Sequence, residues 1–446
     1  MKIAVIGSGI SGLSAAWLLD GHHQVTLYER DGRPGGHTNT VHVPAALGGE
    51  AVDTGFIVYN ERNYPQLTAL FAHLGVPTRA TDMSFSVSLN AGRMEYAGDN
   101  FNTLFAQRSN LLRWGHWRML ADIVRFNSHA ARSLHDPLAE QQSLDEFLRA
   151  AGFGAELRDC YLLPMGAAIW SCPPEQMRRF PAATFLRFFH NHGLLSLDDR
   201  PVWRTVSGGS HVYIQRMLER LRAQVRLGQG AARVMRDVDG VTVVDEAGQH
   251  HRHDQVVFAT HADQTLALLD RPGFWERTLL GSFGYQHNRA VLHTDTALMP
   301  RRGRVWSSWN YLGHTDPEGR RRLSVSYWMN RLQGLKTATP VIVTLNPLRP
   351  PSPEKVIGEF EYEHPVFDAR AMQAQPLLGY LQGRHRSWYC GSYFGHGFHE
   401  DGLRSAIAVA AGFGVRPPWE SAAQTAPVSG PSGVQTAPPV LVAEQV

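Results

Sequence analysis

A glycine pattern near the start of the chain constrains the fold more than any other feature. Gly7, Gly9 and Gly12 follow the apolar run Lys2-Ile-Ala-Val-Ile6 and open a stretch of helix formers, Leu13 to Leu19; a second apolar run, Gln24 to Glu29, comes next. Strand, glycine turn, helix and strand in this order are the first βαβ limb of a dinucleotide-binding fold. Short glycine patterns arise by chance, so the context carries the reading. Glu29 closes the second strand about 20 residues on, where a carboxylate accepts hydrogen bonds from a ribose hydroxyl. The glycines let backbone approach a pyrophosphate, whose charge rests on the N-terminus of the helix that begins near Ile10. Ser8 and Ser11 fill the turn between them.

Composition narrows the rest. At about 150 residues per domain, 446 residues make two or three compact units, 43% hydrophobic and only 19% charged. A small stapled scaffold is excluded. The net charge of +3 is modest, and the basic residues are almost all arginine, with lysine only at Lys2, Lys336 and Lys355. Nucleic acid is therefore not an expected partner. Cys160, Cys172 and Cys390 are too far apart for a disulfide framework or a zinc ribbon. No uninterrupted apolar stretch reaches membrane-spanning length, and the N-terminus has no leader pattern. The expectation is a cytoplasmic protein.

Along the chain, residues 60 to 200 read as mostly helical, including 101–132 and 143–149. A helix is expected over 211–222, a hairpin over 232–244 and a strand over 255–259. Alternating strands follow between 283 and 362, for example 290–294 and 323–328. A helix from 402 to about 412 precedes a tail, 415–446, rich in Pro, Ala, Ser and Gln and expected to be disordered.

Arg33-Pro-Gly35-Gly36-His37 is a second glycine turn, bringing backbone and an arginine to the same phosphates. A domain for NAD alone has no need of it, whereas FAD has a longer body to hold. Asp53-Thr-Gly55 and Ser207-Gly-Gly-Ser210 add weaker signals of the same kind.

With Glu29-Arg30, Thr205 to Gly209, Val256 to Thr260 and the terminal run Gly391 to Ala410, these motifs stand in the order seen in the flavin amine oxidase and phytoene desaturase superfamily, which the chain resembles over nearly its whole length. Within it, Val58-Tyr-Asn-Glu61, Ser308-Trp-Asn-Tyr311 and Thr344-Leu-Asn-Pro347 look most like the bacterial group found beside cyclopropane fatty acid synthases, some of which are implicated in desaturating methyl-branched acyl chains. The resemblance implies an α/β architecture: a Rossmann-like FAD-binding domain assembled from 1–59, 203–280 and 376–414, and a discontinuous α+β substrate domain from 60–202 and 281–375. It implies that Glu29 with Arg30 serves the adenosine ribose, that Arg33, Gly35, Gly36, His37 and Thr38 line the pyrophosphate and ribityl region, and that Val234 flanks the adenine. Gly391, Ser392, Gly402 and Leu403 come at the far end of the FAD. The flavin is expected to be non-covalent, because Leu378 to Gln382 replaces the Ser-Gly-Gly-Cys attachment stretch.

Candidates for chemistry are fewer, since a flavin accepts a hydride without a protein acid or base. Lys336 is set against the lysine that holds a water near the flavin in many amine oxidases, although its surroundings differ. His396 lies between two glycines after the last strand, within reach of a flavin or as an ordinary turn histidine. Tyr327, with Asn330, lines a pocket or ends a buried strand. No metal is expected: His250, His251 and His253 fall on a polar hairpin without a carboxylate at ligand spacing, and His293 and Asp295 are expected to face solvent.

Two segments combine arginine with large apolar groups. In 101–132, Arg118, Asp122, Arg125 and His129 share one helical face and Trp117, Leu120, Ile123 and Val124 the other, an arrangement suited to a membrane interface or to packing on its own domain. Arg178 to Phe189 repeats the combination. The leading functional expectation is dehydrogenation of a phospholipid-bound acyl chain at the inner face of the cytoplasmic membrane, with oxygen or a quinone as electron acceptor. The rivals are a soluble amine oxidase and a non-catalytic flavoprotein partner of a lipid methyltransferase.

Overall fold

The computed structural model describes residues 1–170, 172–195, 201–316, 318 and 321–423. The first βαβ limb is present: β1 (Lys2–Ile6), α1 (Ile10–Leu19) and β2 (Gln24–Glu29). β1 is the centre of a five-stranded parallel sheet, flanked by β2 and Gln255–Phe258, with Gln224–Leu227 and Ser387–Tyr389 at the edges. A central parallel strand is covered on both faces, which is why β1 is a continuous apolar run. Ile3, Val5, Leu27 and Val257 meet α1 and the C-terminal helix His399–Gly412, whereas Ala4, Ile6, Val256 and Phe258 meet a small antiparallel sheet, Ala231–Arg236, Val241–Asp245 and His250–His253. Three distant chain segments thus share one sheet.

A second sheet of seven strands runs in the order Val356–Val366, Gly284–His293, Ile342–Leu345, Arg321–Trp328, Trp309–Thr315, Phe85–Leu89, Met94–Ala97. The expectation that 60–200 is mostly helical holds apart from short strands, among them the last two of this sheet. Short alternating stretches such as Phe85-Ser-Val-Ser-Leu89 are held there by a parallel neighbour far along the chain, Trp309–Thr315, a pairing that local pattern does not reveal. The expected single helix over 101–132 is three pieces, Phe101–Leu104, a 3-10 turn Arg108–Leu112 and Trp114–Arg132.

The tail begins later than expected. Val415 is buried, and within the helix Pro418–Ala423 Trp419 stacks on Trp17 and donates to Gln66 Oε1 at 2.7 Å. The rest of the tail, 424–446, lies outside the described residues.

The buried Asp53 carboxylate, at the end of the short strand Ala51–Asp53, ties three distant chain segments together. It accepts from Ser210 N at 2.9 and 3.0 Å, Ser210 Oγ at 2.8 Å, Thr40 Oγ1, and Gln333 Nε2 at 2.7 Å, while Asp53 N donates to Gln333 Oε1 at 2.8 Å. Burial without a cation pushes its pKa up to about 6, and these donors hold it from rising further. Removing the acceptor strands several buried donors, each costing about 1–3 kcal/mol. Asp53→Ala is therefore expected to lower unfolding free energy by about 3 kcal/mol or more; a denaturant midpoint equal to that of the wild type contradicts the assignment.

Candidate functional site: an FAD cradle with a histidine wall

The glycine turn has the geometry a pyrophosphate needs. Gly7 adopts φ +98° and donates to Tyr28 O at 2.8 Å. A Cβ on Gly12 would stand 1.8 Å from Gly7 O, so only glycine lets the helix begin this close to the strand. Gly9, by contrast, has open space where its Cβ would be. It is the N-cap of α1, and no side chain caps that end and no acidic residue lies in the first turn. Bare helix amides facing open space above a glycine form an anion site.

Glu29 organises the turn. Its Oε2 accepts from Ser8 N at 2.8 Å and Ser8 Oγ at 2.6 Å, and its Oε1 from Asp31 N at 3.0 Å. The second glycine turn is tied to the first, with Gly35 N donating to Ser8 O at 3.0 Å. Gly36, at φ +56°, lies over Gly9. Arg33 braces this turn, its Nη2 donating to Gly36 O at 2.9 Å and its Nη1 to Thr38 O at 3.2 Å. From the third segment, α1 meets the C-terminal helix so closely that a Cβ on Gly402 would be 2.7 Å from Ser11 Oγ and 2.8 Å from Ile10. Leu403 is buried behind it, Gly391 N donates to Ser405 Oγ at 2.9 Å, and Ser392 begins the turn that follows. Val234 is buried beside the β2 end of the sheet, whereas Arg30 is exposed and pairs with Asp31 at 3.7 Å. Open space at Gly9, bare helix amides and two interlocked glycine turns fit FAD.

Beyond the second turn is a set of imidazoles. His399 stacks on Phe56 with centroids 3.7 Å apart and shares a hydrogen bond with Thr38 Oγ1 at 3.0 Å. His37, whose Nε2 is buried without a partner, lies 5.1 Å from Tyr362, 5.2 Å from His364 and 6.3 Å from His261, ring to ring. Asn288 Nδ2 donates to His364 Nδ1 at 2.9 Å, which places that ring's proton on Nε2. His261 stacks on Tyr285 and has Nδ1 3.3 Å from Glu363 Oε2. Burial is the largest influence on all four, pushing His37 and His261 down to about 4 and His364 and His399 to about 3. These rings are neutral at physiological pH.

His399, His261 and His364 were not singled out from the sequence. His261 directly follows the strand Gln255–Phe258 and the Ala259-Thr260 pair, at the carboxyl edge of the parallel sheet where ligands bind, and this was the available signal. His364 comes from a strand whose neighbours lie far along the chain. His396, three residues before His399, faces Phe188 instead, with its amide on Asp401 Oδ2 at 2.9 Å.

Several expectations are corrected. The Lys336 side chain is exposed on a loop fixed through its amide by Glu50, so it is not in an enclosed site. Of the two readings of Tyr327, the buried strand residue is the one observed, packed edge-on against Trp309 at 4.8 Å, and Asn330 is bonded to Thr337 and Val341. His293 and Asp295 do not face solvent: His293 shares a hydrogen bond with Thr344 at 2.7 Å, and buried Asp295 pairs with Lys355 at 3.2 Å. A carboxylate does stand by the histidine hairpin, since His251 contacts Asp245 at 2.8 Å; His253 is paired with the Tyr28 hydroxyl at 2.9 Å.

Residues 10–347 match the family model for flavin containing amine oxidoreductases, and the chain belongs to that family. The family is one of flavin-containing oxidoreductases, and the cradle fits that cofactor. A relative named putative flavin-containing monoamine oxidase AofH, from Mycobacterium tuberculosis, is 26% identical over 284 residues, covering 61% of this chain and 60% of that protein. The match thus spans about three fifths of the relative's length. A coproporphyrinogen III oxidase from Mycobacterium leprae is 26% identical over 299 residues, covering 60% of this chain and 61% of that one. Among solved structures, a redesigned putrescine oxidase superposes with TM-score 0.65 at 17% identity, covering 92% of this chain and 98% of that one. A fatty acid isomerase from P. acnes gives 0.65 at 16% identity, covering 93% and 98%. These two likenesses show the amine-oxidase-type fold.

The cysteines bear on attachment. Cys390 is buried in the core shared by β1 and α1, Cys172 in the helical core, and Cys160 beside Tyr96 and Tyr311. FAD is expected to be released by acid precipitation, and Gly9→Val, which fills the open space at the pyrophosphate, is expected to give protein without flavin. Flavin retained in the acid pellet, or full occupancy in Gly9→Val, overturns the reading.

The histidines also set a pH dependence. Their folded pKa values lie below the ordinary 6.5, so between about 6.5 and 4 the unfolded chain binds more protons and stability falls as pH falls. His192, His253 and His293, likewise pushed down to about 4 by burial, add to this trend. Asp53, Glu400 and Asp401, whose pKa values burial raises, work in the opposite direction but are fewer than the histidines. Melting temperature is expected to drop from pH 6.5 to 4; a flat profile there contradicts the buried neutral cluster.

Proposed function

We propose that the protein dehydrogenates an uncharged, apolar substrate, the acyl chain of a lipid. The observation that carries this reading is the electrostatic character of the site. Its wall is built from Phe56, Tyr362 and neutral imidazoles, and the buried carboxylates around it are already engaged. Asp53 is saturated as described. Glu400 accepts from Gln66 N at 3.0 Å and Leu67 N at 2.9 Å, and Asp401 from His396 N and Phe398 N at 2.9 and 3.0 Å. An ammonium brought against these residues loses its hydration without gaining a free carboxylate, whereas an alkyl chain loses little. From the C-terminal turn an aromatic file continues the wall: Phe398 lies 5.2 Å from Phe188, Phe188 stacks on His192 at 3.8 Å, and His192 on Trp203 at 6.2 Å.

FAD, when bound, supplies hydride acceptance. The chain's residues position the alkyl segment, exclude water and keep the site uncharged. Loss of hydride from one carbon and a proton from its neighbour leaves the double bond. His261, beside the half-exposed Glu363, gives that proton an exit to solvent. Oxygen or a quinone takes the electrons afterwards. Relatives on this fold include proteins named for amines and one named for a fatty acid, so the substrate class is argued from the uncharged wall residues.

Anaerobic mixing with phospholipid vesicles is expected to bleach the oxidised flavin bands, with small amines leaving them unchanged. Bleaching by a soluble amine and none by lipid transfers the assignment to amine oxidation. A flavin inert to both identifies a non-catalytic flavoprotein.

A further inference from the structure

No helix among the described residues is long and apolar enough to cross a membrane. The surface at 101–118 is nevertheless unusual. Leu112 is 91% exposed, Trp114 81% and Phe101 63%, with Leu111 and Trp117 also exposed. Scattered apolar residues on a surface need no explanation, but a cluster of this kind marks an interaction site. Here two tryptophans, two leucines and a phenylalanine fall within 17 consecutive residues.

The cluster has a preformed shape. Trp117 Nε1 donates to Leu111 O at 2.9 Å, Phe105 packs against Trp117 at 4.9 Å and Phe101 against Phe105 at 4.6 Å. Asn100 caps the helix Phe101–Leu104, and the 3-10 turn Arg108–Leu112 leads straight into the helix Trp114–Arg132. The tip is a braced wedge.

Its charge is one-sided. From residue 100 to 121 there is no acidic residue, and Arg108, Arg113 and Arg118 are exposed. Arg108 donates to Phe105 O and Asn102 Oδ1, and Arg113 to Arg93 O, so both bind neutral groups and keep their charge uncompensated. Arg93 is exposed beside them. The neighbouring acids are occupied: Glu95 by Arg302 at 2.7 Å, Asp99 by Arg331 at 3.2 Å and Asp122 by Arg125 at 3.0 Å. The helical face differs from the one expected from sequence, because Met119, Asp122, Phe126 and Ala130 point inward.

We propose that this wedge docks the protein on an anionic lipid bilayer, with Leu112 and Trp114 entering the interface and Arg93, Arg108 and Arg113 on the headgroups. Tryptophan at the water boundary and arginine on anionic headgroups are the chemistry such a surface recognises. A protein partner is the less favoured occupant, as Leu112 and Trp114 project beside the uncompensated Arg93, Arg108 and Arg113, and the one acid that reaches the wedge, Glu156 against Gly115, lies on the Arg118 side. The second arginine-aromatic stretch takes no part. Arg178 is paired with Asp159, Arg187 with Glu140, and Phe180, Phe185, Phe188 and Phe189 are buried. The proposal is independent of the substrate, and its test needs no turnover.

The holoprotein is floated with phosphatidylcholine vesicles containing phosphatidylglycerol or none. Wild type is expected to float with the acidic vesicles at low salt and to detach progressively as salt rises. Arg108→Gln and Arg113→Gln are each expected to weaken partitioning about five-fold, and Leu112→Ser with Trp114→Ser to abolish it, all with normal flavin content and melting temperature. Wild type that ignores acidic vesicles at low salt overturns the proposal, as does a Leu112→Ser/Trp114→Ser protein that floats undiminished. A concentration-dependent dimer in lipid-free solution that the same pair of substitutions dissolves also overturns it, assigning the wedge to a second copy of the chain.

Discussion

The Asp53 carboxylate is the polar constraint that fixes three distant chain segments against one another. Its donors come from the strand beside it, from the start of the helix His211–Arg220 and from Gln333 on the second sheet's side. Hydrophobic contact alone lets sheets slide, because it has no preferred direction. A buried anion with saturated donors has one arrangement, since any displacement leaves a desolvated donor behind. Asp53 thereby fixes the short strand Ala51–Asp53 against the helix His211–Arg220 and against Gln333.

The first limb was legible because its signals are local. Glycine spacing, flanking strand and helix, and Glu29 lie within about one βαβ unit of 30 residues. Asp53 was visible as a motif residue, yet its role depends on Gln333, 280 positions away. The histidine wall is of the same kind. His37 and His399 come from the two ends of the chain, and what unites them is a contact through Thr38 rather than a spacing. Lys336 shows the opposite error, in which rarity in the composition drew attention to a residue that the fold leaves in water.

The helix Trp114–Arg132 shows why amphipathic patterns mislead. Asp122 reads as a surface residue beside Arg118 and Arg125, but it turns inward, pairing with Arg125 and accepting from Gly154 N. One paired acid inside rotates the face that periodicity assigns and exposes Trp117 and Val124. Periodicity counts apolar residues, whereas burial is decided by whether each polar group finds a partner.

The same accounting separates the two arginine-rich stretches, which look alike in sequence. Around Arg178, Asp159 gathers Arg158, Arg178 and Arg321, and its pKa is held well below the carboxylate range by their hydrogen bonds and charges against the cost of burial. Those cations hold the helical region to the second sheet. Around Arg113 the acids Glu95, Asp99 and Asp122 are committed to other arginines, and the aromatic groups that would otherwise complete a core point outward. An arginine whose charge is met inside the protein is cement. One that donates only to backbone carbonyls keeps its field outside the protein, where it acts on whatever anionic surface comes within a Debye length.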